Sequence, residues 1–200
     1  MGMGCFWSPE ALFGSLPGVI RTRTGYAGGT TEHPAYREMG DHSEAVEIDF
    51  DPELITHDAL VEVFWNNHNP VNINGYKGRQ YQSLLFYRDA EQEETIHRVK
   101  QRMESEKGTL DTEILPFKEF HMAEPRHQKY YLKRFPNAIE KLSALYPSED
   151  DLTDSTLAAR LNGLAKGFSN LERIRREISQ WPIGAGDQEA LIALIRQIRW

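Results

Sequence analysis

The spacing of apolar positions divides the chain into two stretches of different character. Val19–Tyr26 (VIRTRTGY) alternates and carries β-branched residues, which predicts a strand. Glu44–Phe50 (EAVEIDF) alternates more sharply. Val46, Ile48 and Phe50 share one face, and a period of two puts Glu44 on that same apolar face. Gln82–Tyr87 and Thr112–Phe117 predict further strands. Between them the period becomes helical. Ser8-Pro9-Glu10 reads as a helix start with Ser8 as N-cap, followed by an apolar stripe of Leu12, Phe13 and Leu16 and a stop at Pro17-Gly18. Thr56 caps a second helix bearing Leu60, Val61 and Phe64. Ala90–Lys107 is a long charged helix ended by Gly108, and Glu124–Arg134 a shorter one. Ala27–Gly40 and Asn66–Gln80 are turn-rich loops. This alternation predicts one α/β or α+β domain over residues 1–147.

After Pro147 only helices are expected: Asp154–Lys166 stopped by Gly167, Ser169–Gln180 with a Ser169…Glu172 capping box, and Asp187–Arg199. Residues 148–200 thus form an all-helical C-terminal extension. Its last helix carries Leu191, Ile192, Leu194, Ile195 and Ile198, a face that something must cover. Packing on the main domain is favoured over a partner interface, and a monomer over a dimer.

Composition narrows the setting. The 200 residues hold 23 Lys and Arg against 30 Asp and Glu, a net charge of −7. With no long basic run, neither nucleic acid nor an anionic membrane is a suitable partner. One cysteine excludes an internal disulfide framework and a resolving thiol within the chain. No stretch is long and apolar enough to span a bilayer, and Met1–Ser8 is too short and uncharged for a signal peptide, so a cytoplasmic protein is expected.

The chemistry centres on that cysteine. Cys5 lies in GCFW, just ahead of a helix N-terminus, where unpaired N–H groups favour an anion. Such a position predicts a thiol pKa in the range of roughly 3.5–7.5. The alternative is a small buried hydrophobe. A carboxyl on the apolar face of a strand, Glu44, is a candidate general acid with a raised pKa, against the plainer reading of a strand-edge residue in water. Tyr36 and Tyr81 place donor hydroxyls in or beside loops, where most tyrosines only pack. Phe6 and Trp7 would ordinarily be core, yet two aromatics and a thiol in succession cannot all face one core. His42, His57, His68, His121 and His127 show no metal-ligand spacing, so no metal is expected. Gly25-Tyr-Ala-Gly28-Gly29 opens no helix and cradles no phosphate, and there is no G-x-S-x-G.

The ordered set of short blocks resembles the A-type peptide-methionine (S)-S-oxide reductases. It comprises Gly4–Trp7, Leu16–Val19, Gly25–Gly29, Pro34–Glu38, His42–Val46 and Phe50–Pro52. Phe64–Pro70, Gln80–Ser83 and Ala123-Glu124…His127-Gln128 complete it. The resemblance implies a ferredoxin-like α+β sandwich with a mixed sheet and flanking helices, and reduction of the S-epimer of methionine sulfoxide, free or in oxidised proteins. It assigns Cys5 as the nucleophile that becomes a sulfenic acid, Glu44 as the acid that protonates the sulfoxide oxygen, and Tyr36 and Tyr81 as donors to that oxygen. Phe6 and Trp7 become the walls that hold the S-methyl group.

The chain departs from the family pattern in places. Ser8-Pro9 follows the tryptophan, where the family has glycine. Only Met1–Gly4 precedes the cysteine, and the loop at Met39-Gly40-Asp41 is short. The segment Asn72–Arg79 (NINGYKGR) lacks the family's aspartate, and Gln82 stands in place of an arginine. Slower chemistry, or a changed substrate or donor, is expected. With no bound cofactor and no second cysteine, the sulfenic acid must meet an external thiol: thioredoxin, glutaredoxin or glutathione. Two other readings stand beside this one. The chain could be a homologue that binds oxidised methionine without turnover, or a thiol enzyme acting on another sulfoxide or a peroxide.

Overall fold

The computed structural model describes every residue except Asn74 and Tyr76. Strand β1 (Gly2–Met3) leads into helix α1 (Trp7–Gly14), followed by β2 (Val19–Ala27) and β3 (Ser43–Phe50). Helix α2 (His57–Asn66) is followed by β4 (Ser83–Tyr87), α3 (Ala90–Lys107), β5 (Glu113–Pro116) and β6 (Phe120–Met122). The strands form two three-stranded sheets, ordered β1-β4-β5 and β3-β2-β6. The β4–β5 pair is parallel and the other sheet pairs are antiparallel. Met1 and Val46 exchange backbone hydrogen bonds of 2.8 and 2.9 Å where β1 meets β3. Across that seam the order is β4-β1-β3-β2. With the connection β1-α1-β2-β3-α2-β4, this is the ferredoxin-like α+β arrangement.

The cap expected for α2 is present, and α3 opens on a cap of its own. Thr56 Oγ1 accepts from Ala59 N at 3.2 Å, and Asp89 Oδ1 from Gln92 N at 2.8 Å. Phe13 of α1, Leu60, Val61, Phe64 and Trp65 of α2 and Ile96 and Val99 of α3 join Leu85 of β4 in one core. No helix among the described residues is long and apolar enough to cross a membrane.

The C-terminal part contains α4 (Pro136–Leu142), α5 (Glu149–Asp154), α6 (Thr156–Lys166), α7 (Leu171–Ile178) and α8 (Ala185–Arg196). A second core of Leu142, Leu157, Leu161, Ile174 and Ile178 covers the apolar face of α8, burying Ile195 and Ile198. Helix α6 also lies directly on α1. A methyl group added at Gly163 would stand 2.5 Å from Ser15 Cβ and 2.9 Å from the Ala11 carbonyl, so only glycine permits this approach. Arg160, 1% exposed, donates to the Gly14 carbonyl at 2.8 Å and the Val19 carbonyl at 2.7 Å, and pairs with Glu177.

Four expectations are corrected. Phe6, not Ser8, is the N-cap of α1, because Glu10 N already bonds the Phe6 carbonyl at 2.9 Å. The helix expected at Asp154–Lys166 is α6 and begins two residues later, because Asp154 ends α5 and Ser155 accepts from Ala158 N to begin α6. The Ser169…Glu172 box is absent. Asn170 caps α7 by accepting from Arg173 N at 2.9 Å, and the Ser169 hydroxyl has no partner among the described residues. Glu124–Arg134 is not a helix but two short 3₁₀ turns, Pro125–His127 and Leu132–Arg134, because Lys129 sits at φ 52° between them. That left-handed residue turns its backbone N–H and its ammonium inward.

Both meet Glu10. Lys129 N donates to Glu10 Oε2 at 2.9 Å, and Lys129 Nζ to Glu10 Oε1 at 2.7 Å and to the Thr22 carbonyl at 2.6 Å. Neither residue has any exposed surface. Asn162 of α6 accepts from Tyr131 N and Leu132 N, both at 3.0 Å, and extends Nδ2 to Glu10 at 3.4 Å. Removing one partner of a buried pair leaves the other charge unmet, at about 3–5 kcal/mol. Lys129→Met is expected to lower unfolding free energy by that amount in urea titration. A loss below about 1 kcal/mol would show that the pair does not carry this contact.

Candidate active site

The site begins where β1 becomes α1. Gly4 adopts φ 80°, a left-handed turn that costs glycine little, and it places Cys5 immediately before the first turn of α1. The β2–β3 register sets Tyr26 opposite Glu44 at the opening of β3. Glu44 is 1% exposed. Its Oε2 accepts from Phe6 N at 2.9 Å and its Oε1 from Gln80 Nε2 at 2.7 Å, while the Cys5 thiol donates to the same carboxylate. Burial pushes the Glu44 carboxyl above its ordinary value, and these three donors pull against it.

The thiol does not behave as its position beside a helix N-terminus suggests. Burial, only partly opposed by the Trp7 N–H, together with the neighbouring Glu44 charge, pushes the Cys5 pKa up to about 11. The expectation of a lowered pKa is therefore corrected. Cys5 is held as a neutral thiol beside the buried Glu44 carboxyl.

The aromatic candidates gather around His127. Phe6, Trp7 and Tyr36 place ring centroids 5.4, 5.8 and 4.8 Å from its imidazole. Phe6 is 1% exposed and turns into a buried cluster with Tyr26, Met39, Val46 and Ala123. Trp7 is half-buried, stacks on Tyr130 at 3.7 Å and donates Nε1–H to His127 Nδ1 at 3.2 Å. Burial holds His127 neutral. Tyr36 and Tyr81 hydrogen-bond to each other, and burial, Glu44 and Tyr36 push the Tyr81 hydroxyl up to about 12. Glu124 accepts from Tyr26 Oη at 2.7 Å and from Tyr36 N at 3.3 Å, anchoring the Tyr36 loop.

Cys5 and Trp7 open onto a cleft of about 430 Å³, and Glu44, Tyr36 and Tyr81 are not among its lining residues. A larger groove of about 810 Å³, between the Gly28–His33 loop and Lys118, does not reach Cys5. Among the described residues no three His, Cys, Asp or Glu side chains are grouped to hold a metal ion. The loop that lacks the family's aspartate includes Asn74 and Tyr76, which lie outside the described residues. At its end, Arg79 donates to Gln82 Oε1 at 2.6 Å and pairs with Glu113. Sequence reasoning gave no role to Gln80, His127, Tyr130 or Tyr131. Gln80 had a usable clue, since it adjoins Tyr81 in one of the recognised blocks.

A thiol, a buried carboxyl and a pair of tyrosines on a ferredoxin-like scaffold describe a thiol-based oxidoreductase site. The model of the family described as "Peptide methionine sulfoxide reductase" matches residues 1–158, and the chain belongs to that family. It is 39% identical over 194 residues to peptide methionine sulfoxide reductase A5 of Oryza sativa subsp. japonica, covering 90% of this chain and 76% of that protein. It is 40% identical over 178 residues to peptide methionine sulfoxide reductase of Drosophila melanogaster, covering 88% and 71%. Among solved structures it resembles methionine sulfoxide reductase A of Corynebacterium diphtheriae (TM-score 0.59, 33% identity, 68% of this chain and 73% of that one). Reduced Mxr1 of Saccharomyces cerevisiae is also similar (TM-score 0.62, 26% identity, 68% and 83%).

The Cys5–Glu44 contact has a measurable consequence. Glu44→Gln removes a negative charge that opposes thiolate formation, so the thiol pKa falls toward its ordinary value. Iodoacetamide is expected to alkylate the variant faster than the wild type at pH 8, by about tenfold. Equal rates at every pH would show that the carboxylate does not govern the thiol.

Proposed function

We propose that the protein reduces the S-epimer of methionine sulfoxide, free or in oxidised proteins, to methionine through Cys5. One observation carries this reading: in a chain of this family, the sole thiol stands beside a buried carboxyl whose charge it feels. The proton that Cys5 must lose is the proton that the sulfoxide oxygen must gain. Glu44 takes it from Sγ and delivers it to the oxygen as Sγ attacks the sulfoxide sulfur. The sulfur–oxygen bond of the substrate breaks, the oxygen leaves on Cys5 as a sulfenic acid, and methionine departs with no other proton needed. The hydrogen-bonded hydroxyls of Tyr36 and Tyr81 stand beside Glu44 as donors where negative charge develops on oxygen. Trp7 forms the accessible wall for the S-methyl group, with the buried ring of Phe6 behind it.

Residues 1–147 form the catalytic part in this reading and residues 148–200 the helical extension. The 200 residues hold no second cysteine, and in this reading thioredoxin, glutaredoxin or glutathione reduces the sulfenic acid, as suits a reducing compartment such as the cytoplasm. The altered loop before Arg79 supports a second reading, a homologue that binds oxidised methionine without turning it over.

A single turnover decides between them. Prereduced protein mixed with an S-sulfoxide peptide, without added thiol, is expected to release one methionine per Cys5 and leave a trappable sulfenic acid. Cys5→Ser yields none. Tyr81→Phe lowers the single-turnover rate by roughly tenfold to a hundredfold. Binding of the peptide without product would reject turnover and leave the binding homologue.

A further inference from the structure

The cleft over Cys5 has one wall that the catalytic part does not supply. Lys166 ends α6 and Phe168 follows it, and both line the cleft with Cys5, Trp7 and Tyr131. Both also lie beyond the residues matched by the family model. Their placement is built in. Gly167 turns left-handed at φ 94°, its N–H bonds the Leu164 carbonyl at 2.9 Å, and Phe168 N bonds the Gly163 carbonyl at 2.8 Å. This double closure fixes the chain where it leaves α6. The Lys166 ammonium lies 4.9 Å from the centre of the Tyr131 ring, within range of a cation–π contact. Tyr131 in turn hydrogen-bonds Ser8, and its hydroxyl is raised by burial and by the charge Cys5 carries as a thiolate.

A lysine in the last turn of a helix is commonly there for the helix dipole. The surroundings of Lys166 indicate more. It has no salt-bridge partner among the described residues, although the chain carries 30 acidic side chains and a net charge of −7. Among the described residues, the only charged side chain lining the cleft is Lys166. His68, also on the wall, is kept neutral by burial. The opposite rim is amide-rich: Asn69 and Asn72 have their side-chain oxygens engaged by loop N–H groups, which leaves their Nδ2 groups as donors. A cleft with one cation, amide donors and an aromatic floor, opening on a sulfur atom, suits a small carboxylate-bearing molecule.

We propose that Lys166, Phe168 and Tyr131 form a subsite for a low-molecular-weight thiol that carries a carboxylate, and that this thiol regenerates Cys5. The proposal rests on the reading that Cys5 cycles through a sulfenic acid. The thiolate sulfur of the bound molecule attacks Cys5 Sγ, a sulfur–sulfur bond forms, and the Cys5 sulfur–oxygen bond breaks. The hydroxyl leaves as water with one added proton. A second molecule of the same thiol attacks the bound sulfur, releases Cys5 as a thiolate that regains its proton, and departs as the symmetrical disulfide. Two thiols are oxidised and one sulfenic acid is reduced. Lys166 favours the carboxylate of the incoming thiol over a neutral or cationic analogue.

Three thiols of similar size but different charge test this: 3-mercaptopropionate, 2-mercaptoethanol and cysteamine. The full chain is oxidised at Cys5 by one turnover with an S-sulfoxide peptide, or by hydrogen peroxide, and mixed-disulfide formation is followed by mass spectrometry. Rates are compared per thiolate present. Wild type is expected to favour 3-mercaptopropionate over 2-mercaptoethanol by roughly threefold to tenfold, less at high salt. Lys166→Gln brings the ratio near one, and Lys166→Glu reverses it in favour of cysteamine. A ratio near one in wild type, or the same ratio in all three proteins, overturns the proposal. So does Lys166→Gln slowing methionine release while the thiol ratio persists, since the lysine then serves the oxidised substrate. If no methionine forms in wild type, the sulfoxide reading fails separately, and the peroxide-oxidised protein still reports on the subsite.

Discussion

A carboxyl group with no exposed surface sits just over one helical turn after Cys5, and much of the chain is arranged around it. Glu10 is on α1, and an unpaired charge there would cost several kcal/mol. Three separate segments answer it: the left-handed Lys129, the carbonyl of Thr22 through that lysine, and Asn162 of α6. The same Asn162 holds the N–H groups of Tyr131 and Leu132. Meeting one buried charge thus locks α1, β2, the 129–132 segment and α6 in mutual register. Cys5 takes its place from the first of these, and Tyr131 and Lys166 take theirs from the last two. The helical extension is therefore coupled to the thiol through the core and not only through the cleft.

The electrostatics of Cys5 turn on which of two opposed effects is larger. A helix N-terminus is worth about 0.3–1 kcal/mol to an exposed anion and up to about 2 kcal/mol to a partly buried one, and one pKa unit corresponds to about 1.4 kcal/mol. Even the upper end moves the thiol by only about one and a half units. Burial and the carboxylate of Glu44 act the other way and bring it to about 11. Here the first N–H of the helix end is also occupied by Glu44 itself, at 2.9 Å from Phe6 N. The anion that the helix terminus favours is the glutamate, and the cysteine is left with the proton.

That detail explains what was legible in the sequence and what was not. The period-two pattern of Glu44–Phe50 read Glu44 as a buried carboxyl with a raised pKa, because strand alternation determines which face a residue shares. Thr56, the Gly108 stop of Ala90–Lys107, and Gly167 were legible because caps are local chemistry. The thiol pKa was not, because the burial that reverses it, and the Glu44 charge that adds to it, arise only when distant segments pack around Cys5. Residues 124–134 looked helical by composition, and the inward turn of Lys129 toward Glu10, 119 residues distant, overrides that preference. Ser169 and Asn170 are both suitable caps, and only the packing of α7 selects the second. The wall made by Lys166 and Phe168 lies in a segment whose sequence shows helices and an apolar face but nothing that aims it at Cys5.

A protonated nucleophile also has a consequence for selectivity. The thiolate, not the thiol, is the species that reacts with alkylating agents. With its proton held between sulfur and the Glu44 carboxylate, Cys5 is a poor target for reagents that cannot use that proton. A sulfoxide differs from them in having a basic oxygen next to the electrophilic sulfur. Under the proposed mechanism it removes the proton through Glu44 and receives the nucleophile in the same event. On that proposal, the burial that slows the free thiol suppresses side reactions and costs the sulfoxide reaction little, because the proposed transition state places the charge on an oxygen that Tyr36 and Tyr81 would meet as donors. Selection for the sulfoxide would then be set by where the proton can go, before any contact with the rest of the substrate.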